Sequence, residues 1–304
     1  MDAHETDDGT GPTATGGGSP VASVIETALG PVEHADTGGD GPVVLFVHGS
    51  PGGWDQAVLM GRFLTDAGLR VVAPSRPGYL GTPLLDGRAD PADQARLHSA
   101  LLDALGIDDV AVACWSGGGP SSYSLAAAEP DRVRAVAAFA AVSGPYSFEH
   151  PGQERALFHR PGAWLMRELA RHAPHTVVKE LVTEEGDLSK AQAAELVGSI
   201  WDDEARRSWV LEWAATVTGD RSAGFDNDVA RFPELSLDLA AVRAPVLLVH
   251  AETDSDVPVE QSRNASEALP RNELVTVDGG TRITMWTGPG ETGLQARVVD
   301  HLLG

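Results

Sequence analysis

The sequence predicts an α/β protein: a mostly parallel central sheet flanked by helices, with a helical segment inserted into it. Three observations carry this. From Val21 onward, short β-rich runs alternate with helical runs, the pattern of strands joined by crossover helices. The run Val43 to Val47 is apolar throughout, as in a strand buried on both faces. From about Tyr146 to Ser236 the chain keeps helical periodicity, several prolines and four tryptophans, with no clear strand. With 304 residues, 42% of them hydrophobic, the chain can bury a sizeable core, as one large domain or two small ones.

Each element has a local reason. Val43 to Val47 ends in the loop His48-Gly49-Ser50-Pro51-Gly52-Gly53. Asp55 to Ala67 places Val58, Leu59, Phe63 and Leu64 at helical spacing. Leu69 to Pro74 reads as a strand. Pro91 to Leu105 reads as a helix with Leu97, Leu101 and Leu105 on one face. Val110 to Cys114 is a strand that runs into Trp115-Ser116-Gly117-Gly118-Gly119, and small residues then continue a helix to Glu129, which Pro130 terminates. Val133 to Val142 is another strand. After the helical segment come a strand at Ala244 to Val249, a helix at Val259 to Ala268, a strand at Glu273 to Val277 and a helix at Glu291 to Leu303. Residues 1–20, rich in Gly, Thr and Pro with Asp2, Glu5, Asp7 and Asp8, are expected to be a disordered acidic tail; they lack the basic start and apolar stretch of a signal peptide.

Composition narrows the function. Twenty-two basic against 44 acidic residues leave a formal charge of −22, a field that repels phosphate backbones and anionic lipid, so neither nucleic acid nor a membrane is an expected partner. No run of 18 apolar residues is present. A single cysteine, Cys114, excludes an internal disulfide and fits a reducing cytoplasm. Ending a strand beside a small-residue turn, it reads as a packing residue. The four tryptophans Trp164, Trp201, Trp209 and Trp213 of the inserted segment either line an apolar pocket or pack the segment on itself.

The chemistry centres on Ser116. Cys114-Trp115-Ser116-Gly117-Gly118 has the small-x-Ser-x-Gly form of a nucleophile elbow, a turn so tight that its neighbours must be small; Cys114 stands where the first small residue usually is glycine. The following helix N-terminus adds a positive dipole. Acyl transfer also needs two N–H donors aimed at the developing oxyanion, and the backbone N–H groups of Ser50 and Gly117 are the candidates. Gly52 and Gly53 leave that loop free to turn. His48 is read as shaping the loop, not as a base.

With these motifs the sequence resembles the α/β-hydrolase superfamily, in its serine-hydrolase branch with a helical cap, over roughly Val21 to Leu303. The carriers are His-Gly-x-Pro-Gly-Gly after one strand, the elbow at Ser116, the loop Pro74-Ser75-Arg76-Pro77-Gly78-Tyr79, and Asp254-Ser255-Asp256-Val257-Pro258. The resemblance implies a core over residues 21–145 and 237–304, a cap over 146–236, and a triad acid at Asp254, with Asp256 two residues on as the competitor. His250 then sits at a strand end in a structural role.

The base departs from the family. Relatives carry histidine in a Gly-Gly-His or Gly-Gly-x-His loop after the last strand; here the loop reads Asp278-Gly279-Gly280-Thr281-Arg282-Ile283, and no histidine occurs between His250 and His301. One register puts Thr281 at that position and the other, preferred, puts Arg282 there. Arginine stays protonated and has no acceptor nitrogen, so it cannot take the serine proton; a charged pair with Asp254 is its expected role. Among cap histidines His150, His159, His172 and His175, His172-Ala173-Pro174-His175 fails as a metal pair because Pro174 breaks helical spacing and no carboxylate completes it. His98 and His301 read as surface or packing residues. No metal and no cofactor are expected. The resulting expectation is an esterase-like hydrolase for a small apolar carboxylic ester, acting through Ser116 and impaired by Arg282. Two alternatives stand beside it: a non-catalytic ligand-binding protein, and a non-hydrolytic enzyme that uses the oxyanion hole for an enolate. The partner is a small molecule, and the chain is a monomer or a homodimer. Dehalogenases and epoxide hydrolases need Asp at the elbow.

The charge of −22 yields one prediction. Screening self-repulsion with added salt should raise the melting temperature between low and molar salt; a flat or falling melting temperature would contradict it.

Overall fold

The computed structural model describes residues 20–158, 160–288 and 290–304. The expected acidic tail, apart from Pro20, lies outside the described residues, as does His159. Eight strands form one sheet: β1 (Ser23–Thr27), β2 (Gly30–Asp36), β3 (Val43–Val47), β4 (Arg70–Pro74), β5 (Val110–Trp115), β6 (Val133–Phe139), β7 (Val246–Ala251) and β8 (Asn272–Val277). Their order is β1-β2-β4-β3-β5-β6-β7-β8; β2 pairs antiparallel with β1 and β4, and every other pair is parallel.

Helices follow in chain order. α1 (Trp54–Met60) and α2 (Arg62–Asp66) precede β4, α3 (Pro91–Ala104) precedes β5, and α4 (Gly119–Ala128) follows it. The inserted segment holds α5 (Pro151–Leu157), α6 (Arg160–His172), α7 (Pro174–Glu184), α8 (Lys190–Asp202), α9 (Glu204–Ala215) and α10 (Ser222–Arg231). α11 (Glu260–Ala268), α12 (Thr284–Thr287) and α13 (Glu291–Leu303) complete the chain.

The inner strands β3, β5 and β7 bury both faces, as their unbroken apolar runs require. Alternate β3 residues serve the two layers. Val44 and Phe46 join the cluster under α1 and the cap, with Trp115, Phe139, Trp209, Trp213 and Trp286. Leu45 and Val47 join the opposite cluster, with Leu97, Leu101, Cys114 and Leu248.

The structure differs from the sequence expectation at identifiable points. The single helix expected from Asp55 to Ala67 is two, broken at Gly61, where a Cβ would sit 3.0 Å from the Ala57 carbonyl and 3.2 Å from Val71. The strand expected to reach Val142 stops at Phe139, because Ala140 takes φ 43° and turns the chain toward the elbow. β1 and β2 carry no clear apolar run; they form a hairpin at the sheet edge whose polar residues, Ser23, Glu26, Thr27, Glu33, His34 and Asp36, interrupt the apolar ones.

His98 of α3 is buried in this core against Ser121 (3.2 Å). Burial, then the nearby Arg76 charge, lowers its pKa to about 3. Its unfolded value is near 6.5, so its contribution is complete above pH 6.5 and is lost as pH falls toward 3, where only the unfolded chain takes up the proton. Across that window His98→Gln should flatten the acid loss of stability by up to about 1.4 kcal/mol per pH unit in denaturant titrations; an unchanged slope would show that the ring is not held neutral.

Candidate active site

Ser116 sits where β5 meets α4, in a turn so tight that the residue takes φ 49°, a strained conformation for a side-chain-bearing residue. The sequence forces this geometry. A Cβ on Gly117 would lie 2.1 Å from Ser50 Oγ, and one on Gly118 would lie 2.5 Å from the Val47 carbonyl. The same closeness brings the two expected oxyanion donors together. The Ser50 nitrogen lies 3.2 Å from the position a Gly117 Cβ would take, and neither the Ser50 nor the Gly117 N–H reaches an acceptor among the described residues.

The Ser50 loop is held by a buried carboxylate that the sequence did not reveal. Asp228, on helix α10 of the inserted segment, accepts from Arg76 at 2.7 Å and 3.1 Å, from the Tyr79 hydroxyl at 2.5 Å and from Ser50 Oγ. Arg76 also donates to Ser50 Oγ at 2.7 Å and to the Gly49 carbonyl at 3.0 Å. Both members of the ion pair are 1% exposed. Burial alone would lower the Arg76 pKa, but the Asp228 charge outweighs it and holds the guanidinium above its usual value. Burial and the same carboxylate push Tyr79 well above the usual phenol range.

His48 is fixed beside this hub. Its Nε2 accepts from the Arg76 N–H at 2.8 Å, so Nδ1 carries the proton and donates to the Gly49 carbonyl at 2.7 Å. Burial, then the Arg76 charge, lowers its pKa well below the usual histidine value. Its geometry agrees with a loop-shaping role. Cys114 is buried, and its thiol is pushed up to about 12, so it carries no thiolate.

The acid loop follows β7. The Asp254 carboxylate is wholly buried; one oxygen accepts the N–H groups of Asp256 and Val257 at 3.0 Å each, and the other has no hydrogen-bond partner among the described residues. His250 Nε2 lies 3.3 Å from that second oxygen, yet it hydrogen-bonds the Val257 carbonyl at 2.8 Å, while Nδ1 meets Ser262 Oγ at 2.7 Å. Both ring nitrogens of His250 are thereby occupied.

Arg282 does not form the expected pair with Asp254. It pairs with Glu185 of the cap, at 2.6 Å and 2.9 Å, and with Asp256. The reason is the chain path. The Arg282 N–H donates to the Glu185 carbonyl at 3.0 Å, Asp187 N–H to Thr253 at 2.7 Å, and Ser255 Oγ to the Glu184 carbonyl at 2.8 Å, so the cap segment 184–187 is stitched over the acid loop. The guanidinium lies over the Trp115 ring at 4.7 Å. Burial, which lowers its pKa, is outweighed by Glu185 and Asp254, and Arg282 stays above its ordinary value. Burial pushes the Glu185 carboxyl up against the pull of Arg282. Thr281, the other register, is buried with its hydroxyl unpartnered and packs on Gly186.

The remaining histidines are elsewhere. His172 meets Glu168 at 3.2 Å, His175 packs edge-on against Trp201, His98 is buried in the core, and His301 bonds the Val136 carbonyl. His150 lines a cavity of about 480 Å³ between cap and core, together with Pro51, Trp213, Asp256 and Arg282. Ser116 is not among the described residues that line it, and its hydroxyl makes no hydrogen bond among the described residues. No group of three or more potential metal ligands occurs among them, and no described helix is long and apolar enough to cross a membrane.

A sheet of this order, with its serine turn after β5 and a helical insertion after β6, invites comparison with known proteins. Residues 42–289 match the family model for the alpha/beta hydrolase fold. The chain belongs to that family. The α/β hydrolase is similar to an alpha/beta hydrolase fold protein from Nakamurella multipartita, at 42% identity and TM-score 0.88, over 93% of this chain and 99% of that one. It is 26% identical over 268 residues to a 2-hydroxymuconate semialdehyde hydrolase of Pseudomonas putida, spanning 87% of this chain and 88% of the relative. It shares its fold with the naproxen esterase of Bacillus subtilis, at 19% identity and TM-score 0.62, over 92% and 90% of the two chains. The family reading and the α/β fold expected from the sequence both hold, and the chain is a hydrolase of this fold.

The Asp228 hub gives a test. Removing one member of a buried ion pair strands the other, so Asp228→Ala should cost about 3–5 kcal/mol of stability in denaturant unfolding. Arg155→Ala, which breaks an exposed pair with Asp226, should cost under about 1 kcal/mol. Equal losses would show that the buried network does not hold the cap.

Proposed function

We propose that this chain is an esterase-like α/β hydrolase that addresses a small apolar carboxylic ester through Ser116, and that its turnover is impaired because Arg282 stands in place of the triad base. One observation carries the reading: the guanidinium at the base position is clamped by Glu185 and Asp256 across Trp115, while the Ser116 hydroxyl has no hydrogen-bond partner among the described residues. The remaining parts support it. The elbow strain presents Ser116, the Ser50 and Gly117 N–H groups are available to an oxyanion, and Asp254 keeps a buried oxygen of the kind that would orient an imidazole.

The chemistry that follows is attack of Ser116 Oγ on an ester carbonyl, collapse of the oxyanion to an acyl-serine with loss of the alcohol, and hydrolysis of that acyl group. Each stage needs a proton acceptor that becomes a donor, and Arg282 supplies neither. A second reading, a ligand-binding protein on the same scaffold, is favoured by one feature: the cavity ends at Arg282 and Pro51 and does not include Ser116.

The test compares the unmodified chain with Ser116→Ala, Arg282→His and the double variant on a chromogenic short-chain ester. Loss of a triad base costs up to about 10⁶-fold in turnover. The unmodified chain should stay close to Ser116→Ala, and Arg282→His should gain at least about 100-fold, all of it abolished by Ser116→Ala. Fast fluorophosphonate labelling of the unmodified chain would show an activated Ser116 and overturn the reading; so would an inactive Arg282→His.

A further inference from the structure

The cavity between cap and core carries an electrostatic pattern that the hydrolytic chemistry leaves unused. Its walls are apolar at Met166, Leu169, Val177, Leu181 and Val217. Five carboxylates also line it: Glu149, Glu180, Glu184, Glu185 and Asp256. The cavity has one guanidinium, that of Arg282, and Glu185 and Asp256 already occupy it. Glu149, Glu180 and Glu184 are therefore left with little to balance them. Lys179 stands 3.8 Å from Glu180 in an exposed, weakly coupled pair, and His150 adds an exposed imidazole.

An independent feature points to a ligand. Four tryptophans join cap to core. Trp209 and Trp286 stack at 5.4 Å, and Trp115 meets Trp213 edge-on at 5.9 Å. Trp286 donates its indole N–H to the Met60 carbonyl, Trp115 to Arg282 and Trp209 to Leu59. Trp213 lines the cavity, is 1% exposed, and its indole N–H has no acceptor among the described residues. A buried donor left unpaired is costly, and a ligand carbonyl would satisfy it.

We propose that this cavity takes a ligand with an apolar body, a hydrogen-bond acceptor for Trp213 and a cationic head for Glu180 and Glu184. A ligand with a carboxylate head is excluded. Carboxylate heads would meet three like charges, and the cavity's guanidinium is already paired. An ammonium head gains from the carboxylates.

The experiment uses the intact chain and amide probes that cannot be hydrolysed, so it does not depend on Ser116. Calorimetry compares N-(2-trimethylammonioethyl)benzamide, its neutral isostere N-(3,3-dimethylbutyl)benzamide, and N-benzoyl-β-alanine. The cationic probe should bind at least tenfold tighter than the neutral one, with no detectable binding of the anion. E180Q/E184Q should erase that preference, while D131N/E267Q, which removes exposed acids outside the cavity lining, should retain it. Trp213→Phe should weaken the cationic amide severalfold but leave an alkyl trimethylammonium of equal length unchanged. Equal or tighter binding of the neutral or anionic probe, a preference that survives E180Q/E184Q, or no binding at all would overturn the proposal. Selective amide binding with no ester turnover in Arg282→His would instead remove the hydrolytic reading and leave this one standing.

Discussion

Asp228 and Arg76 form a buried ion pair, each side chain only 1% exposed. Two charges so placed lose their hydration, and only close geometry with further hydrogen bonds offsets that cost. Here the carboxylate collects donors from Arg76, Tyr79 and Ser50, and the guanidinium is shared with Ser50 and Gly49. The consequence is positional. Asp228 belongs to helix α10 of the inserted segment and Ser50 to the loop that supplies a candidate oxyanion donor, so the network ties that segment to the loop. His48 joins because Arg76 donates its backbone N–H to it, which fixes the imidazole tautomer and takes it out of proton transfer.

A second cap-to-core junction, around Arg282, uses the same currency with a different result. Glu185 reaches in from the inserted helical segment and Asp256 from the loop after β7, and the guanidinium between them lies over Trp115 at 4.7 Å. An imidazole at that position could exchange a proton between Ser116 and a carboxylate. A guanidinium can only hold. Arg282 keeps a constant charge and ties the inserted helical segment to the loop after β7. The same guanidinium lines the cavity, whose described lining does not include Ser116.

Much of this was legible in the sequence. Central strands are apolar runs because both faces are covered, so their limits could be read to within a residue or two at β3, β4, β5 and β7. The hairpin β1–β2 could not, because an edge pair with one wet face spends half its positions on polar residues. Gly61 splits a helix for a reason found only in space, the approach of Phe46 and Val71. The site divides similarly. Ser116, Ser50, Gly117, Asp254 and Arg282 stand in motifs whose spacing follows from tight turns. Asp228, Glu185 and Trp213 do not, since each meets its partners across more than 90 residues or acts by lacking one, and nothing local marks them. The choice of partner for Arg282 belongs to the same class: sequence offers Asp254 and Asp256 equally near, and the stitching of the segment 184–187 decides.

The unpartnered oxygen of Asp254 closes the argument on the base. A buried carboxylate oxygen without a donor is expensive, on the order of 1–3 kcal/mol. Its sister oxygen is fully used in capping the turn at Asp256 and Val257, so the carboxylate is structurally required and its second oxygen is left over. In a serine triad that second oxygen orients the imidazole N–H and steadies its charged form. Arg282, drawn away by Glu185 and Asp256, reaches Asp254 only through its field. The fold therefore carries a buried carboxylate oxygen that no hydrogen bond among the described residues offsets. A histidine at 282 would give up the two ion pairs and offer this oxygen a donor, so the loss of stability on that substitution should be smaller than breaking two ion pairs alone implies.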